Sequence, residues 1–155
     1  MSPLEPPIHV QQIALGYCLP ACAQMALAQI GIAATQAHLA RTLGTRLGVG
    51  TPFSRLKRLS QWNVRVELAR RASADDLAAS LAADTAVIVA LTTTSGLPGW
   101  GNIHAQHAVL VTGVGVEQIE YHDPALAYGP VSALRAEFLL AWSEMEELAA
   151  FLSQG

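Results

Sequence analysis

Cys18 stands where an irregular, proline-marked start gives way to an apolar, Ala-rich run, QQIALGYCLPACAQMAL. That run has helical period, so the sulfur belongs at a helix N-terminus. Free backbone N–H groups and the positive end of the helix dipole favour a thiolate there. A thiolate attacks acyl carbons well, provided that a base lies beside it and a third group holds that base. His107 heads the run HAVLVTGV and Asp123 ends IEYHD, two segments that read as the arms of a β-hairpin. With the turn centred on Gly115, the two residues are equally far from it and face each other. Directly opposed residues have Cβ atoms roughly 4.5–5.5 Å apart, close enough for a carboxylate to orient an imidazole.

The order Gln12, Cys18 within Q-x-x-x-x-x-C, then P-A-C, HAVLVTGV, D-P and EFLLAW, resembles the papain-fold peptidases that process double-glycine leaders of bacteriocins. The resemblance runs from about Gln12 to about Trp142. It implies a thiol hydrolase with Cys18 as nucleophile, His107 as base, Asp123 as orienting acid and Gln12 as an oxyanion-hole amide. It implies a peptide or protein substrate cut after small residues such as Gly-Gly. One position departs: the family has glycine after the nucleophile, whereas this chain has Leu19, a side chain placed to crowd and shape the acyl site. The same resemblance leaves two other readings open, a thioester-forming acyltransferase or isopeptidase and a catalytically silent peptide-binding module.

Other residues carry weaker signals. Cys22 lies one helical turn below Cys18, a poor geometry for a disulfide, and reads as a small buried hydrophobe. His104 and His107 with Cys18 and Cys22 offer two sulfurs and two imidazoles. Their spacing is unlike that of structural zinc sites, and a metal there would occupy the nucleophile. No metal or other cofactor is implied. His9, His38 and His122 read as surface or structural. Trp100 sits in TTTSGLPGWGNIHAQ, a Gly- and Pro-marked loop from Thr92 to Gln106. We expect that loop to border the cleft as a substrate lid, its indole free to swing between Gly99 and Gly101.

Composition narrows the class. The 155 residues carry 14% charged side chains and a net charge of -3, so the basic surface that nucleic acid requires is missing. The longest apolar runs fall well short of the ~20 residues of a membrane helix. The first residues, broken by prolines, do not form a secretory signal. A cytoplasmic protein without an integral membrane segment is the expectation.

The elements that must position these residues follow from period and caps. Residues 1–15 read as an extended arm that lays Gln12 beside the site. A helix spans Leu19 to Ile30, a second runs from its Thr35 cap to Leu43 and stops at Gly44, and a third opens at Thr51-Pro52. Val64, Val66 and Leu68 alternate as a half-exposed strand. Ser73 caps a short helix with Asp75 and Asp76 in its first turn, and AVIVAL is a buried central strand. Ala125 to Val131 reads as loop, and Ser132 as the cap of a helix ending near Trp142. In SEMEELAAFLSQ helix propensity opposes the resemblance, which implies a last strand; we take the strand. The expected fold is α+β and papain-like, one domain over residues 1–155 with a helical lobe packed on an antiparallel sheet.

Overall fold

A computed structural model describes residues 3–155. Its frame is an antiparallel sheet of six strands: β1 (Val64–Ala69), β2 (Ala86–Thr92), β3 (Gln106–Val114), β4 (Gln118–His122), β5 (Val131–Leu134) and β6 (Ala149–Gln154). They lie in the order β1-β6-β2-β3-β4-β5. Four α-helices accompany them: α1 (Cys18–Gln29), α2 (Gln36–Leu43), α3 (Ala74–Ala82) and α4 (Arg135–Ser143).

The sheet is covered on both faces, which explains why β2 and the first half of β3 read as unbroken apolar runs rather than alternating ones. One face is packed by α1 and α2, with Ala86, Ile88, Ala108 and Leu110 meeting Met25, Leu27, Leu39 and Leu43. The intervening residues Val87, Val89, Val109 and Val111 point the other way, onto Leu77 of α3 and Phe138 and Trp142 of α4. The helical lobe expected from sequence is therefore only one of two helical layers.

Local chemistry sets most boundaries. Thr35 accepts from the His38 N–H at the start of α2, and Gly44 closes it in the left-handed conformation. Ser73 and Asp76 form a reciprocal capping box on α3. The segment after Pro52 is a 3-10 helix, Phe53–Trp62, rather than an α-helix, and buries Leu56 and Leu59.

One expectation for the C-terminal third is corrected. Residues Val131–Leu134 form strand β5, so Ser132 does not cap a helix; α4 begins at Arg135 with Leu134 before it. Ser132 pairs instead with Glu120 across the sheet. The C-terminal segment is a strand, as expected, and lies between β1 and β2. There the burial of Ala149, Ala150 and Leu152 outweighs helix propensity. Among the described residues, no helix is long and apolar enough to cross a membrane.

Candidate active site

Cys18 is the first residue of α1, and Tyr17 before it offers no side-chain cap. The first-turn N–H groups are thus left for the sulfur. Its surroundings pull in two directions. Burial raises the thiol pKa, but the hydrogen bond and charge of the His107 side chain, with the backbone groups of Ala108 and Leu19, outweigh burial and hold it below the ordinary value.

His107 is the second residue of β3 and reaches the site from that end of the strand. Its Nε2 lies 2.6 Å from Asp123 Oδ1, and its ring is packed against Trp100 with centroids 4.8 Å apart. Nε2 donates to the carboxylate, which leaves Nδ1 for Cys18. Burial opposes the imidazolium, yet the Asp123 and Cys18 contacts raise its pKa to about 9. Asp123 is 1% exposed and would be raised by burial, but His107, Trp100 Nε1–H at 2.8 Å and the Ala125 N–H at 2.9 Å hold it below the usual carboxylate range. A thiolate–imidazolium pair backed by a buried carboxylate follows, an arrangement able to attack an acyl carbon and protonate a leaving group.

The route by which His107 and Asp123 meet differs from the expected one. They are not directly opposed: Leu110 pairs with His122, so Asp123 falls across from Val109, two residues along from His107. The turn lies beyond Gly115, whose N–H bonds the Gln118 carbonyl, and β3 carries an extra residue where the register shifts between Val111 and Gly113. Diagonal neighbours still share a face, and their side chains reach each other.

Gln12 lies on the N-terminal arm at the cleft edge. Its backbone N–H bonds the Pro124 carbonyl at 2.7 Å, its amide Nε2–H donates to the Ala14 carbonyl at 3.2 Å, and its Oε1 is buried with no partner. One N–H of the amide remains free for a ligand. The arm is anchored by Gln36, a residue that the sequence alone does not single out. This side chain, 5% exposed, accepts from the Ile13 N–H and donates to the Gln11 carbonyl. A glutamine opening a helix carries no sequence signal for that task.

The cleft is about 440 Å³ and is lined by Gln12, Cys18, Leu19, Trp100 and His107, with the Gly48–Phe53 loop opposite. Leu19 is 2% exposed and belongs to the hydrophobic core, so it presents little surface to a ligand and does not crowd the sulfur side. Trp100 is held rather than free. Its indole N–H is bonded to Asp123, and Thr93 closes the loop's neck through the Ile103 carbonyl and the Ala105 N–H. Leu97, 2% exposed, plugs the loop into the core. In this structure the indole forms part of the cleft wall.

The remaining candidates disperse. Cys22 is fully buried, and burial with the Cys18 and Asp123 charges pushes its thiol well above the ordinary pKa. His104 Nδ1 faces the Thr93 carbonyl at 3.1 Å, and among the described residues no group of three His, Cys, Asp or Glu side chains is placed to hold a metal. His38 packs edge-on to Trp62, and His9 and His122 pair with each other.

Comparisons with known proteins agree with this geometry. Among solved structures, a protein described as a C39-like peptidase from Bacillus anthracis superposes with a TM-score of 0.75 at 16% identity, covering 97% of this chain and 99% of that one. The peptidase domain of Streptococcus ComA, a bi-functional ABC transporter involved in a quorum-sensing pathway, gives 0.73 at 20% identity over 96% and 98%. At these identities the likeness shows the fold, which is that of papain-like C39 peptidases. No curated protein matches the chain significantly. The model of the Peptidase_C39 like family matches residues 6–150, and the chain belongs to that family.

Proposed function

We propose that the protein is a cysteine peptidase in which Cys18, His107 and Asp123 act as a triad and Gln12 as an oxyanion donor. The observation that carries this reading is the geometry at the helix start: Cys18 opens α1 and shares the cleft with His107, whose Nε2 lies 2.6 Å from the buried Asp123 Oδ1, contacts that lower the Cys18 thiol and raise His107 to about 9. Together they favour the thiolate–imidazolium pair over the neutral thiol and imidazole. Cys18 Sγ attacks the scissile carbonyl, and the oxyanion is received by the Cys18 backbone N–H and the free Gln12 amide N–H. His107 Nδ1 passes its proton to the departing amine. It then takes a proton from the water that hydrolyses the thioester. Asp123 keeps Nε2 protonated and the ring in place.

Cleavage after small residues of the Gly-Gly type rests on the resemblance to double-glycine leader peptidases. The cytoplasmic setting stays an expectation of the same kind. The burial of Leu19 supports catalysis over a silent binding module, since the side chain that replaces glycine points into the core. The test is twofold: alkylation of Cys18 with iodoacetamide at neutral pH, and turnover of a fluorogenic peptide amide ending in Gly-Gly. Selective, accelerated alkylation with turnover supports the peptidase. Transfer of the acyl group to an added amine in preference to water assigns an acyltransferase. Alkylation no faster than that of a free thiol refutes the enzyme.

A further inference from the structure

Behind the cleft, two histidines that the proposed chemistry does not use hold the N-terminal arm. His9 Nδ1 lies 2.9 Å from His122 Nδ1, and His9 Nε2 lies 2.8 Å from the Leu126 carbonyl. The rings are stacked with centroids 5.1 Å apart, and His122 is 2% exposed. Gly129 closes over the pair: a Cβ there would sit 2.7 Å from His122 Nδ1 and closer still to His9 Nδ1. Neither histidine lines the cleft.

The hydrogens can be placed by elimination. A carbonyl only accepts, so His9 Nε2 carries a hydrogen, and in the neutral ring Nδ1 is bare and accepts from His122 Nδ1–H. One further proton is tolerated: His9 becomes the cation, and His122 moves its hydrogen to Nε2 and offers a bare Nδ1. A second proton sets two N–H groups against each other across 2.9 Å, and the contact fails.

The charged surroundings allow such a switch. Burial and His9 oppose the charge on His122, and Glu120 on the same strand favours it, leaving its pKa below the usual histidine value. Across the sheet, β3 presents Leu110 opposite His122, with Val109 and Val111 beside it, none of them titratable. The 125–130 loop contributes the Leu126 carbonyl and Gly129, and its one titratable residue, Tyr128, is 71% exposed. Asp123, next in chain, turns its oxygens to His107, Trp100 and Ala125.

We propose that the His9–His122 pair is a proton-gated clamp that positions the Gln12 arm against the Asp123–Leu126 turn and lets go when both imidazoles are charged. The functional part of this proposal rests on the reading of Gln12 as oxyanion donor. His9 is three residues from Gln12, whose N–H reaches Pro124 inside that turn. His122 adjoins Asp123. Both are positioning residues: their release shifts Gln12 without touching the sulfur.

The test combines imidazole NMR titration with amide exchange. In the intact protein, His9 and His122 are expected to titrate in two coupled steps, and the protection factors of the Val10 and Gln12 amides to fall at least tenfold across the lower one. In His9→Ala the coupling disappears and the arm is unprotected at every pH. Gly129→Ala, which pushes a methyl group into both rings, is expected to do the same while leaving both histidines in place. On the Gly-Gly fluorogenic peptide, His9→Ala lowers kcat by roughly tenfold with KM little changed, less than the ~10²–10³ lost on removing an oxyanion donor outright. Iodoacetamide alkylation of Cys18, which forms no oxyanion, keeps its rate. Independent titration of the two rings, or equal arm protection at about pH 7.5 and pH 5, overturns the clamp. Alkylation falling in step with kcat overturns the positioning role. If the unmodified protein shows neither accelerated alkylation nor cleavage, the peptidase reading fails by itself, and titration and exchange still decide the clamp.

Discussion

Replacing Asp123 by Asn gives the sharpest test of the site, because both oxygens of that carboxylate accept from donors held in place. Oδ1 receives His107 Nε2–H and the Ala125 N–H, and Oδ2 receives the indole N–H of Trp100. An amide has one oxygen and one NH₂. With its oxygen toward His107, the NH₂ opposes the indole N–H across 2.8 Å; reversed, it opposes Ala125 and forces His107 into the other tautomer. Either way a buried donor is stranded, which destabilises the fold by about 1–3 kcal/mol.

The electrostatic loss is separate. The rise of His107 from 6.5 to about 9 corresponds to roughly 3 kcal/mol of imidazolium stabilisation. Asp123 supplies the larger share, so its loss moves the ion pair by at least one pKa unit, or about tenfold in thiolate at a pH below the Cys18 midpoint. The assays are urea unfolding and the pH dependence of Cys18 alkylation. Asp123→Asn should shift the alkylation midpoint upward by a unit or more, with rates converging near pH 10. Adding Trp100→Phe, which removes the opposed donor but keeps a ring on His107, should recover about 1 kcal/mol of stability relative to additivity. Superimposable alkylation profiles, or strict additivity in the cycle, would refute the reasoning.

Four further outcomes follow from the same geometry. Peptide kcat/KM should rise across the lowered Cys18 pKa and fall near pH 9 as His107 loses its proton. Stability has a matching alkaline limb: the contribution of His107 is full below its unfolded value of 6.5 and lost as pH rises through about 9, while the lowered Cys18 thiol contributes in the opposite sense, so urea midpoints should drop with rising pH above about 6 in Cys18→Ser, which lacks the thiolate. Cys22→Ala should cost about 1 kcal/mol through a small cavity and leave Cys18 alkylation unchanged, which thiol mapping of the native variant checks. Gly16→Ala should destabilise by more than about 1 kcal/mol and raise peptide KM. At φ +85° its Cβ would lie 2.8 Å from the Gly50 N and 3.0 Å from the Arg46 carbonyl in the cleft wall; an unchanged melting curve and KM would contradict this.

Much of the architecture was legible along the chain. The caps at Thr35 and Ser73, the stop at Gly44, the start of α1 at Cys18 and the apolar strands β2 and β3 are local consequences of side-chain hydrogen bonding, backbone freedom and burial, and these act within a few residues. The candidates Gln12, Cys18, His107 and Asp123 were named from residue type and setting for the same reason. What the chain could not decide alone was register and support. The turn beyond Gly115 and the extra residue in β3 together leave Asp123 two places from His107, Leu19 turns into the core, and the Trp100 indole donates to the Asp123 carboxylate. Strand β5 and the Gln36 anchor carry no local signal, because a short exposed strand looks like loop and a glutamine looks alike on any helix. Local rules place an element and its ends. Which side chains meet across 16 or 23 residues depends on packing that sums over the whole sheet.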